Sequence, residues 1–337
     1  MTTSRQTTGE AVAAQRLSDS FGRVIKDLRI SVTPRCNLRC DYCNPLGSEQ
    51  CEPPGGLSVR DVANLIDAAV SLGLGAVRFT GGEPLLRRDL PDMIRHAKRV
   101  AKVPDVAITT NGTLLARRLP ELIDAGLDRV NVSLDALDPQ VFRSVTGGSI
   151  VPVLAGIEAA FEAGLTPLKI NAVVIRGTNE EEVVGLAGLT RERPLEVRFI
   201  EYMHLNNAPA GEYHDQFVAG AETRARIERA HGALAPVPTD PSAPARRFRV
   251  PGWSGTLGFI NAVSEPFCEG CSRMRMTSDA RLRPCLMHDW ELDARSALDD
   301  AEPVEALRRA LRTAAWNKVF SGMREGTRDR TMVAIGG

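Results

Sequence analysis

The stretch Cys36-Asn37-Leu38-Arg39-Cys40-Asp41-Tyr42-Cys43 packs three cysteines into eight residues. It follows Leu28-Arg29-Ile30-Ser31-Val32-Thr33, a run with β-branched residues that reads as a buried strand. The cysteines therefore occupy a loop just beyond a strand's C-terminal end. Structural zinc takes four protein ligands in paired C-x2-C or C…H spacing. Here the spacing is C-x3-C-x2-C, with no fourth Cys or His at matching spacing nearby. Three thiolates on a short loop better suit a cubane iron–sulfur cluster, which normally takes four ligands, so that one iron stays open to something other than protein.

Outward from this loop, short apolar runs alternate with longer helix-like stretches. The strand candidates are Leu28–Thr33, Ala76–Thr80, Val106–Thr110, Arg129–Leu134, Leu168–Val174 and Leu195–Tyr202. Between them, Val59–Leu72, Asp89–Val100, Pro152–Ala163 and Glu180–Thr190 carry apolar residues at helical spacing, with Ser58 and Asn179 as capping signals. Strand then helix, six times over, argues for a parallel sheet with helices outside. Six units are fewer than the eight of a complete barrel. The expected fold is α/β, a partial (β/α)6 TIM-type barrel, with a C-terminal α+β extension closing its open side. The expected divisions are a mobile or loosely docked tail over 1–20, the barrel over 21–210 and a C-terminal region over 211–337.

Barrel chemistry sits at the C-terminal ends of strands, and unusual polar residues gather there. Gly81-Gly82-Glu83-Pro84 follows strand two, Thr109-Thr110-Asn111-Gly112 ends strand three, and Ser133 and Asp135 end strand four. Lys169 and Asn171 lie on strand five, and Glu201 and Met203 end strand six. Singly, each could be turn chemistry; together they mark one rim. Glycines there let the backbone approach a ligand closely.

The cysteine triplet, the aromatic Tyr42 before its last member, and Gly-Gly-Glu-Pro after strand two resemble the radical S-adenosylmethionine (SAM) superfamily. In that superfamily the open iron is chelated by SAM, and the glycine motif binds the SAM amino group.

A second triplet, Cys268-Glu-Gly-Cys271 and Cys285, has C-x2-C-x13-C spacing. A zinc ribbon with His288 as fourth ligand is one reading. A second cubane with an open iron is the other. Between its cysteines runs Ser272-Arg273-Met274-Arg275-Met276; in extended chain both arginines point to one side, and guanidinium pairs bidentately with phosphate. With the terminal Gly336-Gly337, these features resemble the GTP 3′,8-cyclases, the MoaA family of molybdenum cofactor biosynthesis, from about Phe21 to the end.

That resemblance implies two 4Fe–4S clusters, held by Cys36, Cys40 and Cys43 and by Cys268, Cys271 and Cys285, with the second cluster's open iron on guanine. It implies SAM contacts at Tyr42, Gly82, Ser133 and Met203. It implies GTP contacts at Arg29, Arg78, Thr109, Lys169, Arg273, Met274 and Arg275, with Arg273, Arg275, Gly336 and Gly337 acting in the active site. The implied reaction cleaves SAM with one electron, takes hydrogen from C3′ of the GTP ribose, joins C3′ to C8 of guanine and then reduces the resulting aminyl radical, as the first step of molybdopterin synthesis. The donor of that electron is unidentified, a cyclic pyranopterin monophosphate synthase would accept the product, and a homodimer is one form of assembly. One departure is Asn44-Pro45 where the family commonly has Met-Pro; the loop Leu46–Gly56 that follows holds Cys51, read as a free thiol.

Composition agrees. The chain has 337 residues, 43% hydrophobic and 25% charged, with formal net charge zero. Such a chain is globular, and no global field draws it to nucleic acid or anionic membrane, so a charged ligand must be held by local clustering. With no 18-residue apolar run and no signal-peptide pattern, a cytoplasmic location is expected. Its seven cysteines are then reduced thiols or ligands. The rivals are a peptide-modifying radical SAM enzyme with an auxiliary cluster, usually richer in C-terminal cysteines, and a zinc module on nucleic acid, which leaves the six βα units unexplained. His96, His204, His214 and His231 have no metal-like spacing and receive no role.

Overall fold

The computed structural model describes residues 16–44, 56–205, 210–322 and 330–336. Cys51, Gly337 and nearly all of the loop after Cys43 lie outside the described residues. In chain order the elements are β1 (Asp27–Ser31), α1 (Val59–Ser71), β2 (Ala76–Thr80), α2 (Leu90–Arg95), β3 (Asp105–Thr110), α3 (Leu115–Ala125), β4 (Arg129–Ser133), α4 (Pro139–Thr146), α5 (Val151–Glu162), β5 (Lys169–Val174), α6 (Glu182–Gly188) and β6 (Glu196–Glu201). There follow α7 (Ala210–Gln216), α8 (Gly220–His231), β7 (Ala235–Val237), β8 (Arg246–Arg249), β9 (Thr256–Ile260), β10 (Arg273–Met276), β11 (Arg281–Arg283), β12 (Leu292–Asp293), α9 (Arg295–Leu298), α10 (Pro303–Trp316) and α11 (Met332–Ile335).

All strands join one sheet, ordered β12-β11-β10-β1-β2-β3-β4-β5-β6-β9-β8-β7. The six expected strands pair in sequence and in parallel, so the partial barrel is borne out. The C-terminal region adds strands to both edges: β10 runs parallel on β1, and β9 runs parallel on β6. Antiparallel pairs β11-β12 and β8-β7 then finish each edge, which leaves neither end of the parallel sheet unpaired.

The barrel strands alternate, unlike the continuous apolar runs of most parallel sheets. Leu28, Ile30, Val77, Phe79, Val130, Val132, Val197 and Phe199 pack outward into the core against the helices. The intervening positions carry Asp27, Arg29, Arg78, Asn131, Lys169, Asn171, Glu196 and Arg198, and by pleat alternation these face the lumen. A lumen lined with charge is a ligand chamber rather than a packed core.

Ser58 does cap α1: its Oγ accepts the Asp61 amide at 3.1 Å while Asp61 Oδ2 accepts the Ser58 amide at 2.9 Å, a reciprocal box. Asn179 does not cap α6, whose N-cap is Glu181; it is buried and serves the site described below. Residues 17–20 are no tail: Leu17 and Asp19 are buried, and Leu17 is hydrogen-bonded to Leu72 and Ile25.

Candidate functional site

β1 leads through Thr33-Pro34-Arg35 into the first cysteine loop, and Gly81-Gly82 leaves β2 directly against that turn. A Cβ on Gly82 would lie 2.2 Å from the Arg35 carbonyl oxygen, and one on Gly81 2.4 Å from that of Thr33. The amides of Gly82 and Glu83 donate to the Thr33 and Arg35 carbonyls, both at 2.7 Å. The space beside both glycines is thus filled by the cysteine loop's own backbone. The glycines seat one rim motif on the other.

Glu83 is fully buried. Its Oε1 accepts from Thr110 Oγ1 (2.8 Å) and the Leu85 amide (2.9 Å), and its Oε2 from the Asn111 amide (2.7 Å). Burial pushes its carboxyl up to about 7, against those donors. Asn111 Nδ2 in turn donates to Asn37 Oδ1 at 2.9 Å and stands 3.8 Å from Cys36 Sγ. A chain of hydrogen bonds therefore runs from the end of β2 through the end of β3 to the first cysteine.

Cys36, Cys40 and Cys43 are half-buried free thiols. Burial raises all three, with Cys43 pushed up to about 12 as Cys36 and Asp135 add to the effect. As thiolates they need positive charge, and among the described residues no side chain lowers them by its charge; bound iron would bring it. Tyr42 OH donates to Asp135 Oδ2 at 2.8 Å, and Asp135 Oδ1 accepts the Val173 amide at 2.9 Å. Asn179 closes this corner, donating to the carbonyls of Asp135 and Val173 at 2.8 Å each. Ser133 pairs with Asn171 in the β4–β5 register.

Beneath the rim lies a cavity of ≈ 210 Å³. Of the residues singled out in the sequence, Arg29, Arg78, Thr109, Asn171, Met203, Arg273, Arg275, Cys268, Cys271 and Cys285 line it, joined by Arg198 and Lys318. Lys169 lies one layer below Asn171 on the same face of β5. Met274 does not face the cavity: it alternates away from its arginine neighbours into the core and is fully buried, so only its backbone can serve a ligand.

The guanidinium nitrogens Arg29 Nε and Arg78 Nε, with Asn171 Oδ1, have no hydrogen-bond partner among the described residues. Burial, with Arg275 and Arg78 close by, holds Arg29 well below its ordinary value; burial and Arg273 bring Arg275 down to about 10. Lys169 is brought down to about 7 by burial, then by Arg198 and Arg129. So many desolvated cations with unmet donors are costly alone and fit a polyanion.

The last described helix reaches the same cavity through Met332. Gly336 has φ +88°, and a Cβ there would lie 2.7 Å from Ser31 Cβ and 3.1 Å from Thr80 Cγ2. Arg275 donates to the Gly336 carbonyl. Arg330 anchors the tail through a two-pronged bond to Asp279, at 3.0 and 2.7 Å.

Cys268 and Cys271 flank a short 3-10 turn just before β10, and Cys285 follows β11. Burial pushes Cys271 up, but Arg273 and Lys318 outweigh it and bring the thiol down to about 6. Lys318 is buried, donating to the carbonyls of Arg273 (2.8 Å) and Pro284. His288 is no zinc ligand by this geometry, since its Nδ1 accepts the Trp290 amide at 3.1 Å. Among the described residues no three Cys, His, Asp or Glu side chains close on a single-ion site.

The radical SAM superfamily model matches residues 30–189, and the molybdenum cofactor synthesis C model matches 195–322. Their boundary puts β6 with the second model, upstream of the division at 210. Curated GTP 3′,8-cyclases are similar over nearly their full length. The one from Streptomyces coelicolor is 42% identical, covering 96% of this chain and 97% of the relative. The one from Pelotomaculum thermopropionicum is 40% identical, covering 95% and 100%. This chain belongs to the GTP 3′,8-cyclase family. For the fold alone, a solved structure of Streptococcus suis SuiB bound to S-adenosylmethionine aligns with TM-score 0.57 at 15% identity, over 90% of this chain and 71% of that one. Membership in the family carries radical SAM chemistry, SAM and 4Fe–4S clusters. Among the described residues no single helix is long and apolar enough to cross a membrane.

Sequence reasoning missed Arg198 and Lys318. Arg198 was within reach: two residues after Glu196, strand alternation puts it on the lumen face. Lys318 gave no signal, because its partners are backbone carbonyls far away in the sequence.

Proposed function

We propose that this chain converts GTP to 3′,8-cyclo-7,8-dihydro-GTP in the first step of molybdopterin synthesis, using SAM and two electrons delivered singly, one to cleave SAM and one, with a proton, to quench the radical left after C3′ joins C8. The observation that carries this reading is the single cavity in which Cys268, Cys271 and Cys285 share walls with Arg29, Arg78, Arg198, Arg273, Arg275 and Lys318. Such a wall pairs a metal-binding edge with cations for a triphosphate.

Cys36, Cys40 and Cys43 would hold one 4Fe–4S cluster, and Cys268, Cys271 and Cys285 the other. When bound, the first with SAM supplies the hydrogen-abstracting radical, and the second supplies an open iron for the guanine ring. The chain's residues do the positioning. Tyr42 in the cysteine loop and Gly82, Ser133 and Met203 at or just beyond the ends of β2, β4 and β6 would contact SAM. Arg29, Arg78, Thr109, Lys169, Arg198, Arg273 and Arg275 would bind and orient GTP, so that C3′ rather than another carbon meets the radical. Gly336, with Gly337 beyond the described residues, would fill the space above the arginines and exclude water, its carbonyl aligning Arg275. A cytoplasmic setting, a separate reductant, a product-accepting synthase and a homodimer are further parts of this reading.

The peptide-modifying alternative is not favoured: the curated relatives are GTP 3′,8-cyclases, and the arginine wall suits a nucleotide. The test is anaerobic incubation of the iron-reconstituted chain with SAM and dithionite. Release of 5′-deoxyadenosine that rises with GTP and not with peptides supports the proposal; GTP-independent release contradicts it.

A further inference from the structure

Arg23 lies just before β1, next to the stretch whose sequence reads as a tail. Its surroundings are unusual for such a position. Residues 16–25 fold back on themselves, with a bridge between Ser18 and Val24, and Leu17 and Ile25 are buried. The Asp19 carboxylate organises the turn, accepting the amides of Phe21 and Arg23 at 2.9 Å each. It also accepts Arg23 Nε at 2.6 Å, with both side chains almost wholly buried.

The remaining donors of Arg23 go to backbone carbonyls from two distant parts of the chain. Nη1 donates to Cys268 O at 2.7 Å and to Phe320 O at 2.9 Å, and Nη2 to Val319 O at 2.8 Å. Phe21 and Phe320, in edge contact with a centroid distance of 5.4 Å, flank the guanidinium at 5.2 and 5.7 Å. The fork thus joins the first residue of the second cysteine set to the segment after α10. That segment touches the set again: Ser321 Oγ lies 3.6 Å from Cys268 Sγ, and a Cβ on Gly322 would lie 2.5 Å from Cys285 Sγ. The Cys268 carbonyl also accepts the Cys271 amide at 3.2 Å, so it is held from both sides.

We propose that Arg23 is a positioning residue for the second cysteine set, fixing the Cys268 carbonyl against residues 319–320 so that Cys268, Cys271 and Cys285 face one point. The inference rests on the reading of that set as the holder of a second 4Fe–4S cluster. Guanidinium geometry is what the site uses: a planar fork with five donors reaches three carbonyls and a carboxylate at once, which an ammonium cannot do. Without it, three carbonyls and a buried carboxylate lose charged partners, and the strain falls on the ligand turn.

The test compares the parent chain with Arg23→Gln and Arg23→Lys after anaerobic reconstitution with iron and sulfide. The parent is expected to hold about eight irons and Arg23→Gln about four, as two cubanes and one would require, with Arg23→Lys between them. First-cluster function should persist in Arg23→Gln, read as reductive cleavage of SAM that no longer responds to GTP. A spectroscopic readout isolates the second set. In a background carrying Cys36→Ser, Cys40→Ser and Cys43→Ser, the paramagnetic resonance of the reduced protein comes from the second set alone. GTP should shift that signal in this background, and adding Arg23→Gln should remove the signal or its response.

A parent that binds only about four irons would overturn the cluster reading itself. A parent with both clusters and an Arg23→Gln variant with full iron and a GTP-responsive signal would overturn the positioning role alone, as would equal loss from both sets. If Arg23→Gln fails to fold, Arg23→Lys carries the test by the same readouts.

Discussion

Replacing Gly82 with alanine tests how the two rim motifs are joined. The new Cβ would lie 2.2 Å from the Arg35 carbonyl oxygen, 2.5 Å from its carbon and 2.7 Å from the Pro34 oxygen. All three are backbone atoms, so no side chain can swing aside. Regaining ordinary contact requires the cysteine loop to move about 1 Å from β2. That movement breaks or stretches the 2.7 Å bonds from the Gly82 and Glu83 amides, together about 1–3 kcal/mol. Overpacking adds roughly 1–3 kcal/mol. The total, on the order of 2–6 kcal/mol, falls on the turn that carries Cys36. Urea unfolding of the apo chain reads the stability loss, and iron uptake read with the paramagnetic signal of the first set reads the local effect. Gly82→Ala should unfold at clearly lower urea and lose first-set iron while the second set keeps its own. A variant within about 0.5 kcal/mol of the parent, the usual range for an uninvolved surface position, and with full first-set iron would refute the seating argument.

Other outcomes follow from the cavity and the tail. Arg198→Gln should weaken GTP binding by about 10- to 100-fold, the worth of one charged hydrogen bond, with iron content unchanged; lost iron would make Arg198 structural. Lys169 titrates at about 7 when folded, against an ordinary 10.5, so between these values the unfolded chain holds a proton that the folded chain has released, and stability rises with pH across that window. A triphosphate favours the charged lysine, so GTP binding should take up a proton above pH 7 and weaken as pH rises to about 9, the range over which this lysine is neutral when free; calorimetry in buffers of different ionisation enthalpy counts that proton, and equal uptake by Lys169→Met would refute the assignment. Asp279→Asn removes the two-pronged anchor of Arg330, a partly exposed pair worth about 1 kcal/mol; amide exchange over residues 332–336 should quicken several-fold, and unchanged exchange would show that the buried Val333 and Ile335 suffice.

Much of this was legible in the sequence because it was local. The alternation in Arg29-Ile30-Ser31 and Val77-Arg78-Phe79 set both the strand and its lumen face, and Arg273-Met274-Arg275 revealed its two sides by the same rule. Ser58 with Asp61 gave a cap whose partners are three residues apart. What escaped depends on distant partners. Nothing near Ser272–Met276 signals that β10 lies parallel beside β1, as that pairing spans most of the chain. The fork of Arg23 and the ammonium of Lys318 act on backbone carbonyls, which leave no trace in residue type. Asn179 has the composition of a cap, yet tertiary contacts recruit it to the Asp135 corner. That the Gly-Gly pair also seats the cysteine loop's backbone was not legible, since a glycine that admits a ligand and one that admits another backbone look alike in sequence.

The most direct measurement of the central claim uses GTP deuterated at C3′ of the ribose. With the reconstituted chain, SAM and dithionite, deuterium should appear in 5′-deoxyadenosine, and the GTP product should carry a new bond between C3′ and C8. A reconstituted chain holding stoichiometric zinc without iron, or 5′-deoxyadenosine free of deuterium while GTP is returned unchanged, would contradict it.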